Sequence, residues 1–394
     1  MPANLDRFTC DIDFPVSCIG VTSSNEVVLG GGGGPGGSGV KNKLTVYKID
    51  QKNRDLVQVS SITLSSNEDA PTCLAVHPKD KALVSSVNVD KQRIEKGENA
   101  NCRVFKLTKK SITEANKAAK TILSTDDMDY QKAMAIEPHG KLVANGSSDG
   151  TLAVVEYPSL KPAFPYIEAS GEVNDVDFNA PGKWLAVATD DELKILAVTQ
   201  RGKCVQNIDK PHTSSGERAV FRACRFGRTN QKLTGFKARQ GNSPMLKDVL
   251  YTVLNTRSRK QAYIAMWNTD NWQRIATKSV CRSAITTFAV SNHGKLLAFA
   301  TASLQIAICD AQTLRVVARI PAAHSFAITA LTFDKDDKFL ISGSADETCQ
   351  VISLPDKWPT ALEDAVQWTR EHSQVFVMLI VLLLAILAGL VLRS

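Results

Sequence analysis

The chain has 394 residues, 43% apolar and 22% charged, with a formal net charge of +7. That length supports one large β domain or two smaller ones. The mild positive charge is compatible with acidic membrane or protein surfaces, but nucleic-acid recognition asks for clustered basic residues, which are lacking. Nine cysteines, scattered from Cys10 to Cys349 without a C-x-x-C pair, argue against a disulfide framework and a zinc site, and for a reducing compartment.

In chain order, the N-terminus (Met1-Pro2-Ala3-Asn4-Leu5-Asp6-Arg7) lacks the apolar segment of a signal peptide. An apolar run, Val27-Val28-Leu29, then meets a stretch in which residues 30–39 hold eight glycines, broken by Pro35 and Ser38. Leu44, Val46 and Ile49 alternate with polar residues just beyond, so the stretch reads as a loop between two strands. Its 34–39 segment satisfies G-x-G-x-x-G, but a dinucleotide site needs a helix to open directly afterwards, and a strand follows instead. A P-loop needs Gly-Lys-Ser/Thr, and Gly39 is followed by Val40-Lys41-Asn42. A low-complexity linker is the bland alternative, yet the stretch interrupts one hairpin rather than joining two domains.

From Gly140-Lys141 onward the chain repeats itself. Gly-Lys or Asp-Lys turns at Lys141 and Lys183 lie 42 residues apart, and those at Lys295 and Lys338 lie 43 apart. An alternating strand precedes each turn, and a small polar turn with a further strand follows. This period is the signature of WD-type propeller blades. The expectation is an all-β, seven-bladed WD-type propeller with blades at 14–64, 70–125, 130–168, 171–208, 217–280, 283–320 and 325–354. The fifth carries a polar insertion at 227–247. Because the last blade runs out of chain near Leu354, residues 5–10 are expected to supply its outer strand and so remove an open edge. His324 and Asp346 read as a hydrogen-bonded brace of the last blade rather than catalytic groups.

Residues 355–374 read as a stalk. Residues 375–392 are eighteen consecutive uncharged positions, followed only by Arg393-Ser394. As a helix they span roughly 27 Å, which suits the thin endoplasmic reticulum bilayer. The expected organisation is a cytosolic propeller over 1–354, a stalk over 355–374, a single transmembrane helix over 375–392 and a lumenal tail at 393–394.

No catalytic set for covalent chemistry emerges: the six histidines lack metal-ligand spacing, and there is no G-x-S-x-G elbow. Placement says more. In a blade, the loop between the second and third strands opens on the same rim as the loop leading into the next blade. The glycine stretch therefore shares a rim with Asn67-Glu68-Asp69, and a carboxylate beside loop carbonyls can hold a cation through oxygen.

With Asp69-Ala70-Pro71-Thr72, residues 31–44 resemble the corresponding part of the endoplasmic reticulum exchange factors for the Sar-type GTPase of the COPII coat, in animals the prolactin regulatory element-binding protein family. The resemblance extends to a degenerate propeller and a single C-terminal anchor. It implies guanine nucleotide exchange on a Sar-type small GTPase at the endoplasmic reticulum membrane; a DNA-binding role is suggested only by the animal family's name, and membrane anchorage and the lack of a basic reading helix count against a nucleic-acid partner. It implies a GTPase-contacting loop made of Gly34, Pro35, Gly36, Gly37, Ser38, Gly39, Val40, Lys41 and Asn42, and a potassium ion with Asp69 as its partner. Fungal members carry acidic or amide side chains where Pro35, Gly37 and Ser38 stand, so ion binding here would lean on backbone oxygens. Asn42 is expected either to cap the loop or to meet the GTPase. A non-catalytic propeller scaffold of the endoplasmic reticulum is the competing reading.

Overall fold

The structure, a computed structural model, describes residues 5–35, 38–209, 216–230 and 246–358. The described residues fold into seven four-stranded antiparallel sheets. The first blade is built from Val16–Val21, Val27–Gly31, Lys43–Asp50 and Asp55–Thr63 in sequence order. The next five begin at Cys73–Val76, Gln131–Ile136, Asp175–Phe178, Ala219–Asn230 and Ile285–Val290. Each of these first strands lies against the first strand of the following blade, and Ile328–Phe333 of the seventh returns to Val16–Val21, so the ring closes.

The composition of each strand follows from its place in the ring. Second and third strands are sandwiched between neighbouring blades and are buried on both faces, as in Leu296–Thr301, where all six residues are buried. Outer strands such as Lys203–Asp209 face water and carry polar residues. The core therefore lies between blades: Tyr251 and Ile264 of the fifth pack with Phe288 and Phe299 of the sixth. Cysteines act as small apolar fillers in it; all nine are unpaired and only Cys204 is exposed.

Ring closure uses both ends of the propeller. Arg7–Asp11 pairs antiparallel with Thr348–Ser353 and completes the seventh sheet. Its inward residues Phe8 and Cys10, with Ile12 and Phe14 beyond, are buried against Ile341 and Val351. Residues Leu5–Leu354 form one compact unit.

In that seventh blade His324 is buried, its Nδ1 3.3 Å from Asp346 Oδ1 and 2.8 Å from Thr348 Oγ1, its Nε2 2.8 Å from Ser342 Oγ. Desolvation lowers the imidazole pKa. Desolvation opposes ionisation of Asp346 as well, but hydrogen bonds from Thr348 and the Ser325 amide hold its carboxyl well below the usual range. The group is a brace, as its spacing suggested.

Two features differ from the sequence reading. The fifth blade does not leave the sheet at Gly227: its first two strands continue as Ala219–Asn230 and Leu246–Thr256, paired through Asn230 and Leu246. In the second blade, a short helix, Lys91–Glu95, capped by Asp90, fills the connection between the second and third strands. The remaining part of the 227–247 insertion and the membrane helix expected over 375–392 lie outside the described residues. Among the described residues, no helix is long and apolar enough to cross a membrane.

Candidate functional site

The glycine stretch joins the second and third strands of the first blade, Val27–Gly31 and Lys43–Asp50. At its base the backbone passes too close to its surroundings for any side chain. A Cβ on Gly31 would stand 2.0 Å from the Pro15 carbonyl oxygen, and one on Gly32, at φ +146°, would stand 2.2 Å from Asn42 Oδ1. Beyond that the loop doubles back, with Ser38 lying over Gly33 and Ser38 Oγ accepting from the Val40 amide at 3.3 Å. Pro35, Ser38, Gly39 and Lys41 are exposed, and Val40 is half-buried against the core of the first blade. Gly36 and Gly37 lie outside the described residues.

Asn42 holds this shape. Its side chain is buried; Oδ1 accepts from the Gly34 amide at 3.0 Å, and Nδ2 donates to the Gly34 carbonyl at 3.0 Å and the Glu68 carbonyl at 2.8 Å. Its own carbonyl accepts from the Leu64 amide at 2.8 Å. Of the two roles open to Asn42 in the sequence, the structure gives it the cap: a buried amide engaged on both edges positions the loop and does not reach out of it.

The second blade fixes the other side of this clasp. Buried Arg103, on strand Cys102–Leu107, places a guanidinium nitrogen 2.8 Å from Glu68 Oε1 and another 3.8 Å from Glu114 Oε2. Glu68 Oε2 also accepts from the Ser65 amide at 3.2 Å. Arg103 thus steadies Glu68, Glu68 offers its carbonyl to Asn42, and Asn42 shapes the loop across the seam between two blades. Arg103 carried no sequence signal, because a lone arginine in a strand reads as a solvated edge.

Asp69 follows directly. Its amide donates to the Asn88 carbonyl at 2.9 Å, and its Oδ1 accepts from the Ala70 amide at 2.7 Å. Burial raises its pKa above the ordinary carboxylate value, with the Ala70 bond working in the opposite direction. A Cβ on Gly34, at φ +80°, would sit 3.5 Å from this oxygen, so the carboxylate and the loop backbone share one corner. Among the described residues, no group of three or more His, Cys, Asp or Glu side chains is placed to hold a metal ion. The connections into the third and seventh blades open on the same rim and carry exposed apolar side chains: Leu123, Met128 and Tyr130 in one, Phe326 in the other.

A closed ring of seven four-stranded sheets with a histidine brace defines the WD-repeat class of β-propeller, and residues 315–353 match the family model "WD domain, G-beta repeat". The chain is 26% identical over 325 residues to "SEC12-like protein 2" of Arabidopsis thaliana, covering 82% of this chain and 74% of that protein. It is 26% identical over 380 residues to "Guanine nucleotide-exchange factor SEC12" of Candida glabrata, covering 94% and 78%. It is 22% identical over 391 residues to the protein of that name in Rattus norvegicus, covering 87% and 89%. Over most of its length the chain is thus similar, at 22–26% identity, to proteins named SEC12 and SEC12-like.

Proposed function

We propose that this protein catalyses guanine nucleotide exchange on a Sar-type small GTPase at the endoplasmic reticulum membrane, so that the GTP-loaded form arises where a COPII coat assembles. The observation that carries this reading is the glycine loop itself, projecting from the first blade on a base fixed by Asn42 and the second blade. An exchange factor stabilises the nucleotide-free GTPase over the nucleotide-bound one, a shift driven only by differential affinity. A narrow loop with few side chains can enter beside bound phosphates, and a fixed base keeps the ordering cost of that entry low. No titrating base is needed. The exposed apolar residues on the same rim, Met128 and Phe326 among them, offer the contact area that holds the GTPase while the loop acts.

The test is release of a fluorescent GDP analogue from purified Sar-type and Arf-type GTPases by the full-length chain. Acceleration specific to the Sar-type protein is expected. Replacing Gly36-Gly37-Ser38-Gly39 by four alanines should leave the circular dichroism of the propeller unchanged and remove most of the acceleration, because each Cβ obstructs close approach. A folded variant with undiminished release would take the loop out of the mechanism; no acceleration by the wild-type chain would leave a scaffold. Potassium would be held by Asp69 and loop carbonyls, where it would fix the loop backbone. Exchanging potassium for sodium should then slow release by the wild-type chain but not by Asp69→Asn. The membrane part rests on the uncharged run 375–392. Protease outside sealed microsomes should digest the propeller, and its protection would refute the topology.

A further inference from the structure

The centre of the ring is a cavity of about 670 Å³ lined by the first strands of the blades. Five of those strands carry a bulge at the same place, where the ladder skips Ser17, Lys132, Arg222, Thr286 or Thr329. A bulged residue leaves its strand's ladder and re-aims its side chain, here into the cavity, which all five line.

Four of the five then bond to a neighbouring blade. Thr286 Oγ1 donates to the Ile328 carbonyl at 3.2 Å, and Thr329 Oγ1 to the Val16 carbonyl at 2.5 Å. Ser17 Oγ donates to the Pro71 carbonyl, and Lys132 Nζ to Asn174 Oδ1 at 2.8 Å, with Glu172 beside it. These bonds stitch successive blades together around the channel mouth.

Arg222 is the exception. It has no hydrogen bond and no ion pair among the described residues. The seam it would stitch, from the fifth blade to the sixth, is closed otherwise: Asn255 accepts from the Ile285 amide and donates to the Ile285 carbonyl, both at 2.9 Å. The nearby Asp175 is engaged already, its Oδ2 accepting from the Cys224 amide at 2.9 Å and from the Arg225 guanidinium. Arg222 is desolvated strongly enough to lower its pKa, with Asp175 working the other way and Arg225 adding repulsion. Arg222 is half-buried, its nitrogens reach the open cavity, and its five donors have no protein partner among the described residues. Closing the ring does not require it.

We propose that the central channel is an anion-binding site in which Arg222 grips one oxyanion group, a phosphate or a carboxylate, of a small molecule of metabolite size. The guanidinium fork matches both oxyanions in two-point geometry, and the volume suits a ligand of that size. Ionisable groups lining the cavity are Lys132, Arg222 and Arg225 against Asp175 and Asp177; Glu172 pairs with Lys132 and Asp175 with Arg225, which leaves Arg222 as the lining cation without a partner among the described residues. Burial pushes Asp177 up to about 7, so it offsets Arg222 less than an ordinary carboxylate would. This site is separate from the loop and does not depend on exchange activity.

The experiment titrates the purified full-length chain in mild detergent with inorganic phosphate or with citrate, against sodium chloride at matched ionic strength, by calorimetry. Saturable binding of at least one of the two is expected; phosphate alone would identify a phosphorylated ligand, citrate alone a carboxylate. Arg222→Gln should weaken that binding about ten- to a hundredfold, the worth of hydrogen bonds to a charged group. Arg222→Lys should fall between, keeping the charge without the fork. Without anion, Arg222→Gln should melt no lower than wild type, since Arg222 makes no hydrogen bond or ion pair among the described residues for the substitution to remove. The proposal is overturned if neither anion binds beyond the chloride control, or if either folded Arg222 variant binds as tightly as wild type.

Discussion

Asn42→Ala separates the shape of the loop from its composition, since it leaves every glycine in place. The substitution removes three hydrogen bonds, those to the Gly34 amide and carbonyl and to the Glu68 carbonyl. At about 1 kcal/mol net for each, the docked loop loses about 3 kcal/mol against the released one, a factor of roughly 150 in their ratio. The backbone bond from Leu64 to the Asn42 carbonyl remains, as does the ladder of Lys43–Asp50, so the melting temperature should move by only a few degrees. Hydrogen exchange at the Gly34 amide should accelerate by roughly the same factor of 150, and catalysed nucleotide release should fall towards the level of the four-alanine variant. Asn42→Asp should not rescue release, because a carboxylate would face the Gly34 and Glu68 carbonyls. Unchanged protection at Gly34 would show that Asn42 does not hold the loop. Lost protection with wild-type release would show that loop shape is irrelevant to exchange.

Phe8→Ala, on the strand that closes the ring, should lower stability by about 3 kcal/mol, the usual cost of emptying an aromatic site; chemical denaturation measures it, and a loss under 1 kcal/mol would mean that the closing strand is weakly held. Asp177 has a folded pKa raised to about 7 from 3.8, by burial first, with Arg225 and the Phe226 amide opposing and Asp175 adding to the rise. Its protonated form is favoured by folding, so it contributes stability that is full below about pH 4 and lost as pH rises through 7, up to about 4 kcal/mol. Asp177→Asn should flatten the stability profile across that window, and an unchanged slope would place the titration elsewhere. Replacing Met128 and Phe326 together by serine should reduce kcat/KM for nucleotide release roughly tenfold with an unchanged melting temperature; full activity would exclude that part of the rim from the GTPase contact.

Local pattern alone determined most of the architecture. Strand alternation and the period between Lys141 and Lys183, and between Lys295 and Lys338, are properties of neighbouring residues, and they sufficed for seven blades. A last blade short of one strand pointed to the N-terminus, because an unpaired edge is unfavourable wherever it lies. The glycine stretch was visible for the same reason, although its first two residues, Gly30 and Gly31, finish the strand Val27–Gly31 and only the rest is loop. What closes over that stretch was not visible. Asn42 meets the Glu68 carbonyl 26 residues on, and Glu68 meets Arg103 from the second blade; ring closure sets those meetings, and no spacing along the chain encodes them. Arg222 is a sharper case. In sequence it is one more polar residue at the start of a strand, like Ser17 or Thr286. Only the packed ring shows that the other bulged side chains reach neighbouring blades while Asn255 has already closed the seam beside Arg222. Periodicity reports which face of a strand a side chain leaves from; whether a partner waits there depends on backbone groups brought close only by the completed ring.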